Sequence, residues 1–138
     1  MANINNLERQ HTEIKDLFLK IKQGINSQDI EANLDMLVMS LNTVAGKLNM
    51  HMNSEDKFLY PELINSRNEE LKDMAKQYSD EMGNINIEFN NYKNKFNTKR
   101  KILNDLDGFL KESKEIFKIL EDRIYKEDMY LYPKMKSL

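Results

Sequence analysis

The chain has no cysteine and no tryptophan, and only two prolines, four glycines and two histidines among its 138 residues. Without cysteine there is no disulfide, no thiolate metal ligand and no cysteine nucleophile, so any chemistry falls to histidine, carboxylate, tyrosine or methionine. Few prolines and glycines leave little material for turns, which argues against a barrel and for long helices. The most apolar window, LDMLVMSL at residues 34–41, is far short of a membrane span, and the leading MANINNLERQ lacks the apolar stretch of a secretory signal. Neither sign of charge dominates, with 21 basic and 23 acidic side chains and a net charge of −2. No broad field therefore draws the chain to nucleic acid or an anionic membrane, and a cytoplasmic protein with neither partner is expected. A Gly-rich phosphate loop, a Ser-His-Asp arrangement and an HExxH motif are missing as well.

What is present suits one helical domain over residues 1–138, with 40% hydrophobic and 32% charged residues. Turn signals at GINSQD (24–29), PELINSRN (61–68) and NKFNTKRKILN (94–104) separate four segments of about 22, 32, 28 and 28 residues. The expected architecture is all-α, an up-down-up-down four-helix bundle. Leu7, His11, Ile14, Phe18 and Ile21 alternate steps of four and three, as do Leu34, Leu37, Leu41, Val44, Leu48, His51, Glu55 and Phe58. Such spacing marks the buried seam of a helix.

The polar exceptions in these seams carry the information. His11, His51, Glu55, Tyr78, Glu81, Arg123 and Glu127 stand at or beside inward positions, where an unpaired charge costs several kcal/mol. Counting residues from the helix ends with alternating directions puts all seven in one half of the bundle. Tyr60 and Tyr132 are read as packing residues at helix termini, and the nine methionines as core fillers.

An internal repeat sharpens this. HMNSEDKFLYP (51–61) and RIYKEDMYLYP (123–133) match at Glu55/Glu127, Asp56/Asp128, Leu59/Leu131, Tyr60/Tyr132 and Pro61/Pro133. The halves read as related helical hairpins about an approximate two-fold axis, with each proline closing its helix. Symmetry brings Glu55 towards Glu127, and two buried carboxylates at close range call for a cation between them. His11 and His51 supply nitrogen donors suited to iron, zinc or manganese. The same offset maps His51 onto Arg123 and His11 onto Gly83, so the second half has lost its imidazoles.

LERQHTEI, AGKLNMHMNSEDKFLYPEL and LEDRIYKEDMYLYP together resemble the hemerythrin-like, or HHE cation-binding, family, and DEMGNINIEFNNY is similar to a divergent bacterial branch of it. That resemblance implies a bundle holding a non-haem di-iron centre, with His11 and His51 on one metal and Glu55 and Glu127 as bridging carboxylates. The family's third- and fourth-helix histidine positions hold Tyr78 or Met82, and Arg123. Two site models follow. In one, a second metal is held by Glu55, Glu127, Glu81 and Tyr78; in the other, a single metal binds and Arg123 stands in for the missing cation, with Glu81 or Glu127 as its partner. Charge balance favours the second. The function implied is a carrier, store or sensor of O2, NO or redox state, working as a monomer or weak homodimer. The alternatives are a non-haem iron enzyme acting on O2, peroxide or NO, and a metal-free interaction module.

Overall fold

A computed structural model describes residues 3–137 and contains helices, turns and no strand among them. The first helix, α1 (Ile4–Ile25), starts where the Asn3 side chain accepts from the Asn6 N–H at 3.2 Å, a cap worth about 1 kcal/mol. It buries Leu7, His11, Ile14, Phe18 and Ile21, one seam at helical spacing. At its end Gly24 lies tight against the next helix. A Cβ there would sit 2.7 Å from Met36 Cε and 2.8 Å from Leu37 Cδ2, so a larger residue would have to push these two side-chain ends aside.

A single 3-10 turn (Glu31–Asn33) leads into α2 (Leu34–Ser54), which passes through a π turn (Glu55–Leu59) into α3 (Tyr60–Ile64). The Asn68 side chain then accepts from the Glu70 and Leu71 N–H groups to start α4 (Glu69–Phe96). Two short caps follow, Thr98 for α5 (Lys99–Asn104) and Asp105 for α6 (Leu106–Lys126). A second π turn (Glu127–Leu131) joins α6 to α7 (Tyr132–Lys136).

Several expectations from the sequence need correction. Phe58, expected in the buried seam, and Met39, Met50 and Met129, expected in the core, are each more than half exposed, Phe58 because the π turn shifts it out of the seam. Residues 94–104 were expected to form a break but hold α5, because Thr98 Oγ1 accepts from Lys101 N and supplies a helix start. Pro61 and Pro133 were expected to end their helices, yet each lies at the first turn of a further short helix. The π turn explains this. Its wider ring leaves a backbone position that needs no donor, and proline has none to give.

α1 packs on α2 and α6, and α4 packs on α2, α3 and α6. The apolar interior divides into two clusters, a larger one around Phe18, Leu41, Phe89, Phe109 and Phe117 and a smaller one around Leu7, Leu59, Leu63, Leu71 and Leu131. Truncating any one of these to alanine costs roughly 2–5 kcal/mol. His11 stands between Leu7 of the small cluster and Ile14 of the large one. His51 lies between Leu48 and Leu59, and Arg123 between Leu120 and Leu131, in the same way. The polar residues thus form a layer between two apolar ones. No helix among the described residues is long and apolar enough to cross a membrane.

Candidate metal centre

Three helices and two π turns bring His11, His51, Glu55, Arg123 and Glu127 into that layer: His11 from α1, His51 from the end of α2 with Glu55 opening the turn after it, and Arg123 from the end of α6 with Glu127 opening the turn after that. All five are buried, Glu55 completely. Both glutamates stand four residues after their partners, His51 and Arg123, on one helical face. In each repeat the π turn begins at the glutamate. Its carbonyl accepts from the N–H five residues on, Glu55 O from Tyr60 and Glu127 O from Tyr132.

That extra residue turns Tyr60 and Tyr132 inward, both buried. Their hydroxyls cross between the repeats: Tyr132 donates to Glu55 Oε2 at 3.0 Å and Tyr60 to Glu127 Oε2 at 3.1 Å. Both tyrosines therefore belong to the site and do more than pack helix ends.

The two imidazoles are oriented from outside. His11 Nδ1 is 2.7 Å from Asp128 Oδ1, and His51 Nδ1 is 2.8 Å from Gln10 Oε1. Both partners are acceptors, so each Nδ1 carries hydrogen and each Nε2 is aimed at the interior. Lys15 in turn bonds Asp128 at 3.2 Å. The inward nitrogens meet one carboxylate oxygen, Glu127 Oε1, at 3.0 Å from His11 and 3.6 Å from His51. Donor atoms of His11, His51 and Glu127 all lie within 4.8 Å of one another. Glu55 Oε1 is 3.2 Å from His51 Nε2 but makes no hydrogen bond among the described residues.

Charge in the layer is redistributed by this crowding. Burial and then the neighbouring Glu127 charge push Glu55 up to about 8. Burial works against protonation of His51, but attraction to Glu127 and Glu55 outweighs it and moves the imidazole up to about 10. His11 rises for the same reason, its partners being Asp128 and Glu127. Glu127 is held well below the usual carboxylate range: burial opposes this, and bonding to His11 and His51 prevails. The site therefore favours positive charge at the spot where the two Nε2 atoms converge.

Arg123 occupies the other half. Its Nη1 donates to Glu81 at 3.0 Å, its Nη2 to the Tyr78 carbonyl at 2.5 Å and to the Tyr60 hydroxyl at 3.3 Å, and its Nε is 3.7 Å from Glu127 Oε2 without a bond. Its guanidinium carbon lies 4.2 Å above the Tyr78 ring, a favourable cation–π placement. Glu81 is at the rim, its side chain 39% exposed and shared between Arg123 and Gln77. The structure thus brings His11, His51, Glu55 and Glu127 together and leaves Glu81 and Tyr78 on the far side of Arg123. Besides the two tyrosines, sequence reasoning missed Gln10 and Asp128. Only the repeat, which carries Tyr60/Tyr132 and Asp56/Asp128 as identities, held a signal for any of them.

The family model described as the hemerythrin HHE cation-binding domain matches residues 2–135. The chain belongs to the hemerythrin HHE family. No curated protein and no solved structure matches it. A cation is what this HHE domain's interior can accept: two imidazole nitrogens fixed in orientation, a shared carboxylate oxygen, and an unpartnered buried oxygen on Glu55. Nitrogen and carboxylate donors of this kind suit iron, zinc or manganese.

Proposed function

We propose that this hemerythrin HHE domain binds one iron ion through His11, His51, Glu55 and Glu127 and serves as a carrier, store or sensor of O2, NO or redox state. The observation that carries the reading is the convergence of His11 Nε2, His51 Nε2 and Glu127 within 4.8 Å, with both outer nitrogens tied back. Iron held there supplies a redox couple and a coordination position for a small diatomic ligand. The four donors bind and orient it, Asp128 and Gln10 hold the rings in place, and the apolar layers on either side keep water out.

Arg123 supports a single ion. It is the repeat counterpart of His51, is buried, and sits 3.7 Å from Glu127, so its fixed charge stands where a second cation would. The counterpart of His11 is Gly83, which brings no donor. We read Glu81 as the outer partner of Arg123. The order of α1, α2 with α3, α4, and α6 with α7 supports an up-down-up-down bundle of two related hairpins.

The reading is tested by loading the chain with Fe(II) anaerobically and adding NO. A paramagnetic iron–nitrosyl signal that scales with bound iron supports it. Iron that binds but gives no response to NO or O2 limits the protein to storage, and absence of iron binding refutes the metal site.

A further inference from the structure

We propose that Tyr132 is a fifth protein ligand of this ion, through its phenolate oxygen, and that the site is thereby built for ferric iron. The proposal rests on the metal reading above and adds a ligand to it. The Tyr132 hydroxyl oxygen lies 3.0 Å from Glu55 Oε2, 3.3 Å from His11 Nε2 and 3.4 Å from His51 Nε2. It is thus among the donor atoms themselves, and the ring is fixed by stacking on His11 with centroids 5.2 Å apart.

A hydroxyl has one hydrogen, and here it goes to Glu55. Its remaining lone pairs face two Nε2 atoms whose rings already carry hydrogen at Nδ1. With neutral imidazoles, the lone pairs of two nitrogens, the phenol oxygen and Glu127 Oε1 all point at one region. Only positive charge there makes the arrangement favourable. Protons on Nε2 provide it in the metal-free chain, and a metal ion replaces them.

The repeat supplies an independent argument. Tyr60 donates to Glu127 and accepts from the Arg123 guanidinium. Exchanging the halves turns this into Tyr132 donating to Glu55 beside His51. On one side the tyrosine oxygen already faces a cation, and on the other it faces imidazoles that hold one. On binding, the Tyr132 O–H bond breaks, its electron pair goes to the metal, and the proton leaves to buffer. Two carboxylates and one phenolate then carry three negative charges, which match a trivalent ion.

The test loads the full chain, Tyr132→Phe and Tyr60→Phe with ferric citrate, measuring bound iron, visible absorption and resonance Raman scattering. Unmodified chain and Tyr60→Phe are expected to show a phenolate-to-iron charge-transfer band with tyrosinate ring modes, and Tyr132→Phe to bind iron without either. Should Tyr132→Phe fail to fold, the ring modes of the unmodified chain must shift on incorporation of ring-deuterated tyrosine, and must persist in Tyr78→Phe as well as Tyr60→Phe. Bound iron with no such band in the unmodified chain, or a band that survives Tyr132→Phe, overturns the ligand while leaving the metal site standing. No bound iron overturns both.

Discussion

The Tyr60 hydroxyl reaches across the repeat to Glu127, 3.1 Å away, while its own glutamate, Glu55, is bonded by Tyr132. Each tyrosine thus satisfies the carboxylate of the other half. The crossing ties the ends of α2 and α6 together at the level of the polar layer and fixes which oxygen of each glutamate is left free. Glu127 turns Oε1 to the histidines, and Glu55 leaves Oε1 unpartnered.

Tyr60→Phe removes a donor from Glu127 Oε2 and an acceptor from Arg123 Nη2. A loss of about 1–3 kcal/mol in unfolding free energy is expected, with the metal content unchanged. Urea denaturation with parallel metal analysis measures both, and a matching loss of metal would place Tyr60 in the binding half.

Asp128→Asn should weaken metal binding by roughly 10- to 100-fold, the usual effect of removing a carboxylate that orients a ligating histidine. Asp128 bonds His11 Nδ1 from a half-exposed position braced by Lys15, so the fold should survive. Competition with a chromophoric chelator reads the affinity, and an unaltered value would remove His11 from the ligand set.

Stability of the metal-free chain should fall as pH rises. His51 has its ordinary value at 6.5 and about 10 when folded. Its contribution is therefore complete below pH 6.5 and disappears as pH rises through 10. Glu55, raised from 4.5 to about 8, acts in the same direction over its own range. Glu127 acts oppositely: its contribution is present above 4.5 and vanishes as pH drops through its lowered folded value. Metal binding competes with the histidine protons, so the rise in Tm on adding Zn(II) should grow from pH 6 to pH 9. Equal increments at both values would separate the metal from these side chains.

The seams on α1 and α2 were legible from spacing alone, since Leu7 to Ile21 and Leu34 to Leu48 lie at helical intervals and are buried. The polar exceptions in those seams led directly to His11, His51 and Glu55, and the internal repeat carried the reading on to Arg123 and Glu127. Tyr60 and Tyr132 were not legible because they follow their glutamates by five residues, which in an α-helix points away from the seam. Only the π turns bring them back, and proline after tyrosine is their one trace in the sequence. Asp128 escaped for a related reason, because a residue next to Glu127 leaves the seam and meets His11 only through the packing of α1 on α6. The helix α5 hid behind its basic residues, while Thr98, the residue that caps its start, read as part of a loop.

Arg123→Met leaves Glu81 and Glu127 facing an uncharged side chain. A loss on the order of 3 kcal/mol is expected for breaking a buried charge pair, and added divalent metal should restore part of it. Thermal melts with and without Mn(II) measure this, and a variant as stable as the parent would deny Arg123 its charge-balancing place.

The most direct measurement is the iron content per chain after anaerobic Fe(II) loading, for the unmodified protein and for Arg123→His. One iron in the unmodified chain, rising towards two in Arg123→His, is the expected result, because the imidazole removes the competing charge and adds a donor. Two irons in the unmodified chain, or none, would contradict a one-metal centre completed by Arg123.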